Sequence, residues 1–173
     1  MPMQLHFTFA DEPATESFAR SLAAAWRQQR PQRLLVTLQG DLGAGKTTLV
    51  RAFLRALGVQ GRIKSPSFSL VEEYTIGISD LQLKRTLQTQ IYHIDLYRFS
   101  HPGEWDDSGL AEILGSPGVS LVEWPEHAAG RLPVADLALH LDVEGTQRRL
   151  VAEAATAAGM DLLRAVPGGL NTG

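Results

Sequence analysis

The sequence predicts an α/β fold in which a mixed central sheet is flanked by helices and carries antiparallel hairpins at its edges. Three observations lead there. A short apolar run, Leu34-Leu35-Val36-Thr37-Leu38, reads as a buried strand and runs straight into a glycine-rich loop. Beyond that loop Leu49, Val50, Phe53, Leu54 and Leu57 recur at helical spacing. Near the C-terminus two alternating segments, 137–143 and 148–154, are joined by Glu144-Gly145-Thr146 and read as a hairpin.

The other elements follow in chain order. Leu5, Phe7 and Phe9 alternate with polar residues, the pattern of a half-buried strand. Asp11 and Thr15 are candidate caps for a helix reaching about Arg30, with Phe18, Leu22, Ala25 and Trp26 on one face and Pro31 as its stop. Gly58 closes the helix after the loop. Residues 68–74 and 91–95 read as strands, and the polar stretch 77–90 between them as an elaborated hairpin or a surface insertion. A short helix over 104–114 and a buried strand over 119–123 come next. The expected organisation is a single domain over residues 1–158, with 159–173 a tail that frays in part from Pro167 onward. There is no internal repeat and no linker.

Composition narrows the function. At 173 residues the chain holds one domain with a sizeable core, and its 44% hydrophobic and 20% charged content is that of an ordinary globular protein. No apolar run approaches the roughly 20 residues of a spanning helix. The start Met1-Pro2-Met3-Gln4-Leu5-His6 lacks the features of a signal peptide, and the absence of cysteine fits a reducing compartment, so a cytoplasmic location is expected. Without cysteine there are no thiolate metal sites, and the five histidines are scattered. The net charge is −3, and among the dispersed basic residues only Gln147-Arg148-Arg149 is locally dense. DNA and membrane partners are not expected, and RNA would have to be held by another protein.

The glycine-rich loop carries the chemistry. Gly40-Asp41-Leu42-Gly43-Ala44-Gly45-Lys46-Thr47 matches the phosphate-binding pattern G-x-x-x-x-G-K-[ST]. Glycines let the backbone turn successive N–H groups toward phosphate oxygens, and the following helix adds the positive end of its dipole. Lys46 is then expected at the β- and γ-phosphates, Thr47 on Mg²⁺, and Thr48 at the α-phosphate. These residues predict a Mg²⁺-dependent P-loop nucleotidase, with ATP as the leading nucleotide. The guanine-specifying Asn/Thr-Lys-x-Asp motif is missing, since Lys46, Lys64 and Lys84 are followed two residues on by Thr48, Pro66 and Thr86.

Such a site needs a carboxylate at the tip of a neighbouring strand. Glu123 ends Val119-Ser120-Leu121-Val122, and Asp95 ends Ile91-Tyr92-His93-Ile94. Either could hold the metal, or could merely cap its strand. Arg98 is a candidate arginine finger, and Trp124, taken alone, reads as core packing.

Four blocks occur together and in order: GDLGAGKTTLVRAFLRALG, SPSFSLVEEY, HIDLYR and LVEWPE. The combination resembles the TsaE family, formerly YjeE, the bacterial ATPases of tRNA threonylcarbamoyladenosine synthesis, over nearly the whole chain. The resemblance implies binding to the TsaD–TsaB pair and ATP hydrolysis that supports repeated modification of the tRNA adenosine beside the anticodon. It also implies Glu123 as the Mg²⁺-associated glutamate, Asp95 as the aspartate required for hydrolysis, and Trp124 close to the nucleotide. The segment Ser65-Pro66-Ser67-Phe68 resembles a switch-like loop facing the phosphates. Two departures stand out. Ser67 replaces the family's usual threonine, and the 77–90 segment is longer than usual. Two other readings use the same loop: a small-molecule or nucleotide kinase, whose lid would have to come from the region of Arg131, and a non-catalytic ATP/ADP switch.

Overall fold

A computed structural model describes residues 1–66, 70–101 and 103–171. Its seven strands form one sheet: β1 (Met3–Phe9), β2 (Arg33–Gln39), β3 (Val71–Asp80), β4 (Arg85–Asp95), β5 (Gly118–Glu123), β6 (Leu137–Glu144) and β7 (Gln147–Ala154). Among the described residues five α-helices accompany them, α1 (Glu12–Gln29), α2 (Lys46–Ala56), α3 (Gly103–Ser108), α4 (Leu110–Gly115) and α5 (Ala157–Arg164), with a 3-10 turn at Pro125–Ala128. The strand order is β1-β7-β6-β2-β5-β4-β3. Pairings of β2 with β5 and β6, and of β4 with β5, are parallel. Those of β1 with β7, β6 with β7 and β3 with β4 are antiparallel. The sheet is therefore parallel at its centre and antiparallel toward both edges, as the sequence predicts.

Local chemistry sets the ends of α1. Asp11 caps it, its side chain accepting from Ala14 N at 2.9 Å. Thr15, the alternative cap, is buried inside the helix instead. The helix closes on Arg30 in the left-handed conformation, with Arg30 N donating to Trp26 O at 2.8 Å. The two faces of the sheet bury separate clusters. One holds Leu34, Val36 and Leu38 of β2 against α1, α2 and α5. The other holds Leu35, Ile94 and Val122 against α3 and α4. This alternation along β2 is what both-sided coverage of a central parallel strand requires.

Three elements differ from the expected ones. The strand expected over 68–74 runs instead from Val71 to Asp80; its first residues lie outside those described. It pairs along its whole length with β4, which begins at Arg85 rather than Ile91. The polar stretch is thus a long hairpin, turned at Asp80, whose side chain accepts from Gln82 N at 3.0 Å and Leu83 N at 2.9 Å. β5 pairs only with Ile91–Asp95, so the outer part of β4 has no second neighbour and is largely polar, while Ile76 and Ile78 of β3 still turn into the core. The helix expected over 104–114 is two helices, broken where Gly109 takes φ 73°. The tail expected beyond residue 158 carries structure. Thr156 caps α5, Leu162 and Leu163 are buried, and Leu170 exchanges backbone hydrogen bonds with His6 at 2.9 and 3.0 Å. Among the described residues no helix is long and apolar enough to cross a membrane.

Candidate functional site

The loop sits between the C-terminal end of β2 and the N-terminal end of α2. Its first glycine is dictated by crowding. Gly40 has φ 152°, and a Cβ there would lie 2.5 Å from Leu141 O on β6. Within the loop Ala44 N donates to Asp41 O at 3.0 Å, and Leu49 N to Gly45 O, also at 3.0 Å, opening the helix. No side chain caps α2, so its first-turn amides are open to an anion. From outside, Arg148 on β7 reaches Ala44 O at 3.2 Å and Gly43 O at 3.4 Å. Leu42 is 69% exposed at the loop's crest.

Lys46 is buried. Its Nζ donates to the carbonyls of Gly40 and Asp41 and lies 3.9 Å from the centroid of the Trp124 ring. Burial lowers its pKa, against the opposing pull of the Glu123, Glu126, Asp95 and Asp41 carboxylates. The hydroxyl of Thr47 donates to Glu123 Oε1 at 2.9 Å. Glu123 closes β5 and is 1% exposed. Its other oxygen lies 2.6 Å from His93 Nε2.

Asp95 stands beside Glu123 in the register of β4 and β5. Its Oδ1 accepts from Tyr97 N at 2.9 Å. Desolvation raises the pKa of its carboxyl; the Tyr97 N–H opposes this and the Glu123 charge adds to it. Trp124 is held in the left-handed region at φ 58°, a conformation costing a non-glycine residue about 1–3 kcal/mol. Its backbone N–H donates to Leu38 O at 3.2 Å, and its ring centroid lies 5.0 Å from that of Tyr97 and 5.4 Å from that of His127. His127 Nδ1 in turn donates to Leu96 O at 2.9 Å and Tyr97 O at 3.0 Å, fixing the turn that carries these rings.

A cavity of about 310 Å³ opens over these groups, lined by residues 42–48 with Ser65, Asp95, Tyr97, Glu123 and Trp124. A second, of about 200 Å³, shares Gly43, Ala44, Gly45 and Thr48 with it and continues toward Asp11, Glu12, Thr15, Thr146 and Arg148. The predicted loop residues, both strand-end carboxylates and Trp124 are therefore brought together. Of the switch-like segment, Ser65 reaches the wall and Pro66 is buried, while Ser67 and Phe68 lie outside the described residues. Arg98 is exposed and does not line the cavity. Arg131, the lid candidate of the kinase reading, pairs with Asp106 at 2.8 Å. Reasoning from sequence did not single out His93 or Arg148 as parts of the site. His93 sits two residues before Asp95, so strand alternation already places both on one face, and Arg148 belongs to the densest basic run.

Thr47, Glu123 and Asp95 present only oxygen donors, the set that suits a hard divalent cation. Among the described residues no group of three or more His, Cys, Asp or Glu is placed to hold a metal. An ion here would take its remaining ligands from phosphate and water.

A parallel strand, a glycine loop and an uncapped helix end, faced by two strand-end carboxylates, define a P-loop protein of the nucleotide-binding class. The family model of the threonylcarbamoyl adenosine biosynthesis protein TsaE matches residues 9–151. The chain belongs to the TsaE family. It is 39% identical over 132 residues to the tRNA threonylcarbamoyladenosine biosynthesis protein TsaE of Haemophilus influenzae, covering 76% of this chain and 77% of that one. The Bacillus subtilis protein of the same name is 34% identical over 146 residues, covering 84% and 82%. Among solved structures, Bacillus subtilis YdiB superposes with a TM-score of 0.72 at 28% identity, covering 96% of this chain and 95% of that one.

Proposed function

We propose that this chain is a Mg²⁺-dependent ATPase that acts in the cytoplasm with the TsaD–TsaB pair, supporting threonylcarbamoylation of the tRNA adenosine beside the anticodon. The observation that carries the catalytic reading is the contact of Thr47 with Glu123, with Asp95 alongside, where a P-loop enzyme needs hydroxyl and carboxylate oxygens together. The biological setting rests on family membership and on the names of the relatives.

In this reading the loop amides and the start of α2 bind the phosphates. Lys46 leaves the carbonyls of Gly40 and Asp41 for the β- and γ-phosphates, carrying its charge to where negative charge develops. Thr47 and Glu123 would hold a magnesium ion, with the Asp95 carboxylate alongside. When bound, it would supply positive charge against the phosphates as the bond to the leaving group breaks. Asp95, whose burial strengthens its hold on a proton, orients the attacking water. Water adds in line to the γ-phosphorus, giving up a proton to Asp95, as the bond to the leaving ADP oxygen breaks. Trp124 walls the phosphate site, and the second cavity, which shares Gly43, Ala44, Gly45 and Thr48, is the direction in which the rest of the nucleotide would extend.

The biological part is tested by repeated tRNA modification with TsaD–TsaB, with and without this chain. Sustained rounds are expected only with the wild-type chain and ATP. Equal modification in its absence contradicts the role.

A further inference from the structure

His93 has no part in the chemistry assigned above, yet it is built into the site. It lies on β4, and the register Asp95↔Glu123 and His93↔Leu121 puts its side chain on the same face of the sheet as Asp95 and Glu123. Its exposure is 0%. Nε2 meets Glu123 Oε2 at 2.6 Å, while Nδ1 is buried without a hydrogen-bond partner among the described residues. A carboxylate can only accept, so the imidazole donates through Nε2. The ring leaves one of its own polar atoms unpaired, at a cost to the fold, while it serves the glutamate.

The two oxygens of Glu123 are therefore claimed by different elements. β4 supplies the donor to Oε2 and α2 the donor to Oε1, through Thr47. A glutamate side chain free to rotate about its three torsions would hold neither arrangement unaided. We infer that His93 is a positioning residue: by occupying Glu123 Oε2 it fixes the carboxylate so that only Oε1, the oxygen facing Thr47, is offered to the divalent cation. A carboxylate limited to one oxygen suits Mg²⁺, which takes single oxygens in a strict octahedron. It disfavours Ca²⁺, which readily takes both. The inference rests on the metal reading proposed above.

The test reads metal binding without turnover. Calorimetry gives the affinity for ADP in EDTA, in Mg²⁺ and in Ca²⁺, and the ratio of the metal value to the EDTA value isolates the metal's contribution. His93→Phe is expected to cut the Mg²⁺ ratio by about 10–100-fold, the usual effect of removing a group that orients a metal ligand. Its ADP affinity in EDTA stays near wild type, and its preference for Mg²⁺ over Ca²⁺ narrows. His93→Gln, whose N–H matches the reach of Nε2, keeps the wild-type ratio, whereas His93→Asn, which is shorter, does not. An unchanged ratio in His93→Phe, or equal losses in EDTA and Mg²⁺, overturns the inference. Should the phenylalanine variant not fold, equal ratios for the Gln and Asn variants overturn it. The metal reading is checked separately. If wild type gains nothing from Mg²⁺, or Glu123→Ala keeps the full gain, that reading falls and takes the inference with it.

Discussion

The hydroxyl of Thr47 donates to Glu123 Oε1 across 2.9 Å, joining the first turn of α2 to the tip of β5. Both groups are oxygen donors fixed by regular elements rather than by flexible loops, which is what a preformed cation site requires. Thr47→Ala removes one oxygen and leaves Glu123 Oε1, a buried acceptor, without its donor. The expected result is loss of Mg²⁺-dependent ATP turnover by at least about 100-fold, with a loss of stability of about 1–3 kcal/mol in urea denaturation. Thr47→Ser keeps the hydroxyl and is expected to retain most of both.

Lys46 rests against loop carbonyls and the Trp124 ring. Moving its ammonium to a phosphate removes a cation from the ring face, so ATP binding is expected to change the intrinsic fluorescence. Of the three tryptophans, Trp26 and Trp105 are buried in the two apolar clusters. Trp124→Phe should therefore abolish the change while ATP still binds. Persistence of the full signal in that variant contradicts the placement of Lys46. Lys46→Ala is expected to lose productive ATP binding by calorimetry, and undiminished affinity would remove the loop's assignment.

Asp95 is half-buried beside Glu123, with its carboxyl pKa raised by desolvation. Asp95→Ala is expected to bind ATP within a few-fold of wild type and to lose about 10²–10⁴-fold in turnover, the range for a group that orients or takes a proton from water. Full hydrolysis in this variant would place the handling of water elsewhere.

Gly40 cannot accept a side chain, because a Cβ would meet Leu141 O at 2.5 Å. Gly40→Ala is expected to displace the loop from β6, weaken ATP binding by at least about tenfold, and cost about 1–3 kcal/mol in stability. A wild-type melting temperature with unchanged ATP affinity would contradict the packing of the loop on β6.

The phosphate loop, the strand that feeds it and both strand-end carboxylates were legible in the sequence, because their signals are local: glycine spacing, a short apolar run, and an acid at the end of each run. The Glu123–His93 contact was not, because it depends on β4 and β5 being parallel neighbours in one particular register. That is a long-range fact that no window of residues contains. The contact of Arg148 with the loop is hidden for the same reason, since its partners Gly43 and Ala44 lie about a hundred residues earlier in the chain. The 77–90 stretch was legible as a hairpin or an insertion, but its polar residues hid the length of the two strands, even though Ile76 and Ile78 alternate into the core. The helix α5 is short and begins with Ala157-Ala158-Gly159; Thr156 as its cap and the buried pair Leu162-Leu163 were the available signals.

The central claim is that this chain hydrolyses ATP and does so effectively in company. Its most direct test is phosphate release from ATP by the purified chain, alone and with TsaD–TsaB from the same organism. The account predicts slow release alone, a clear rise with the pair, and loss of both in Asp95→Ala. Equal rates with and without the pair would contradict the proposed setting, and no release under either condition would contradict the ATPase itself.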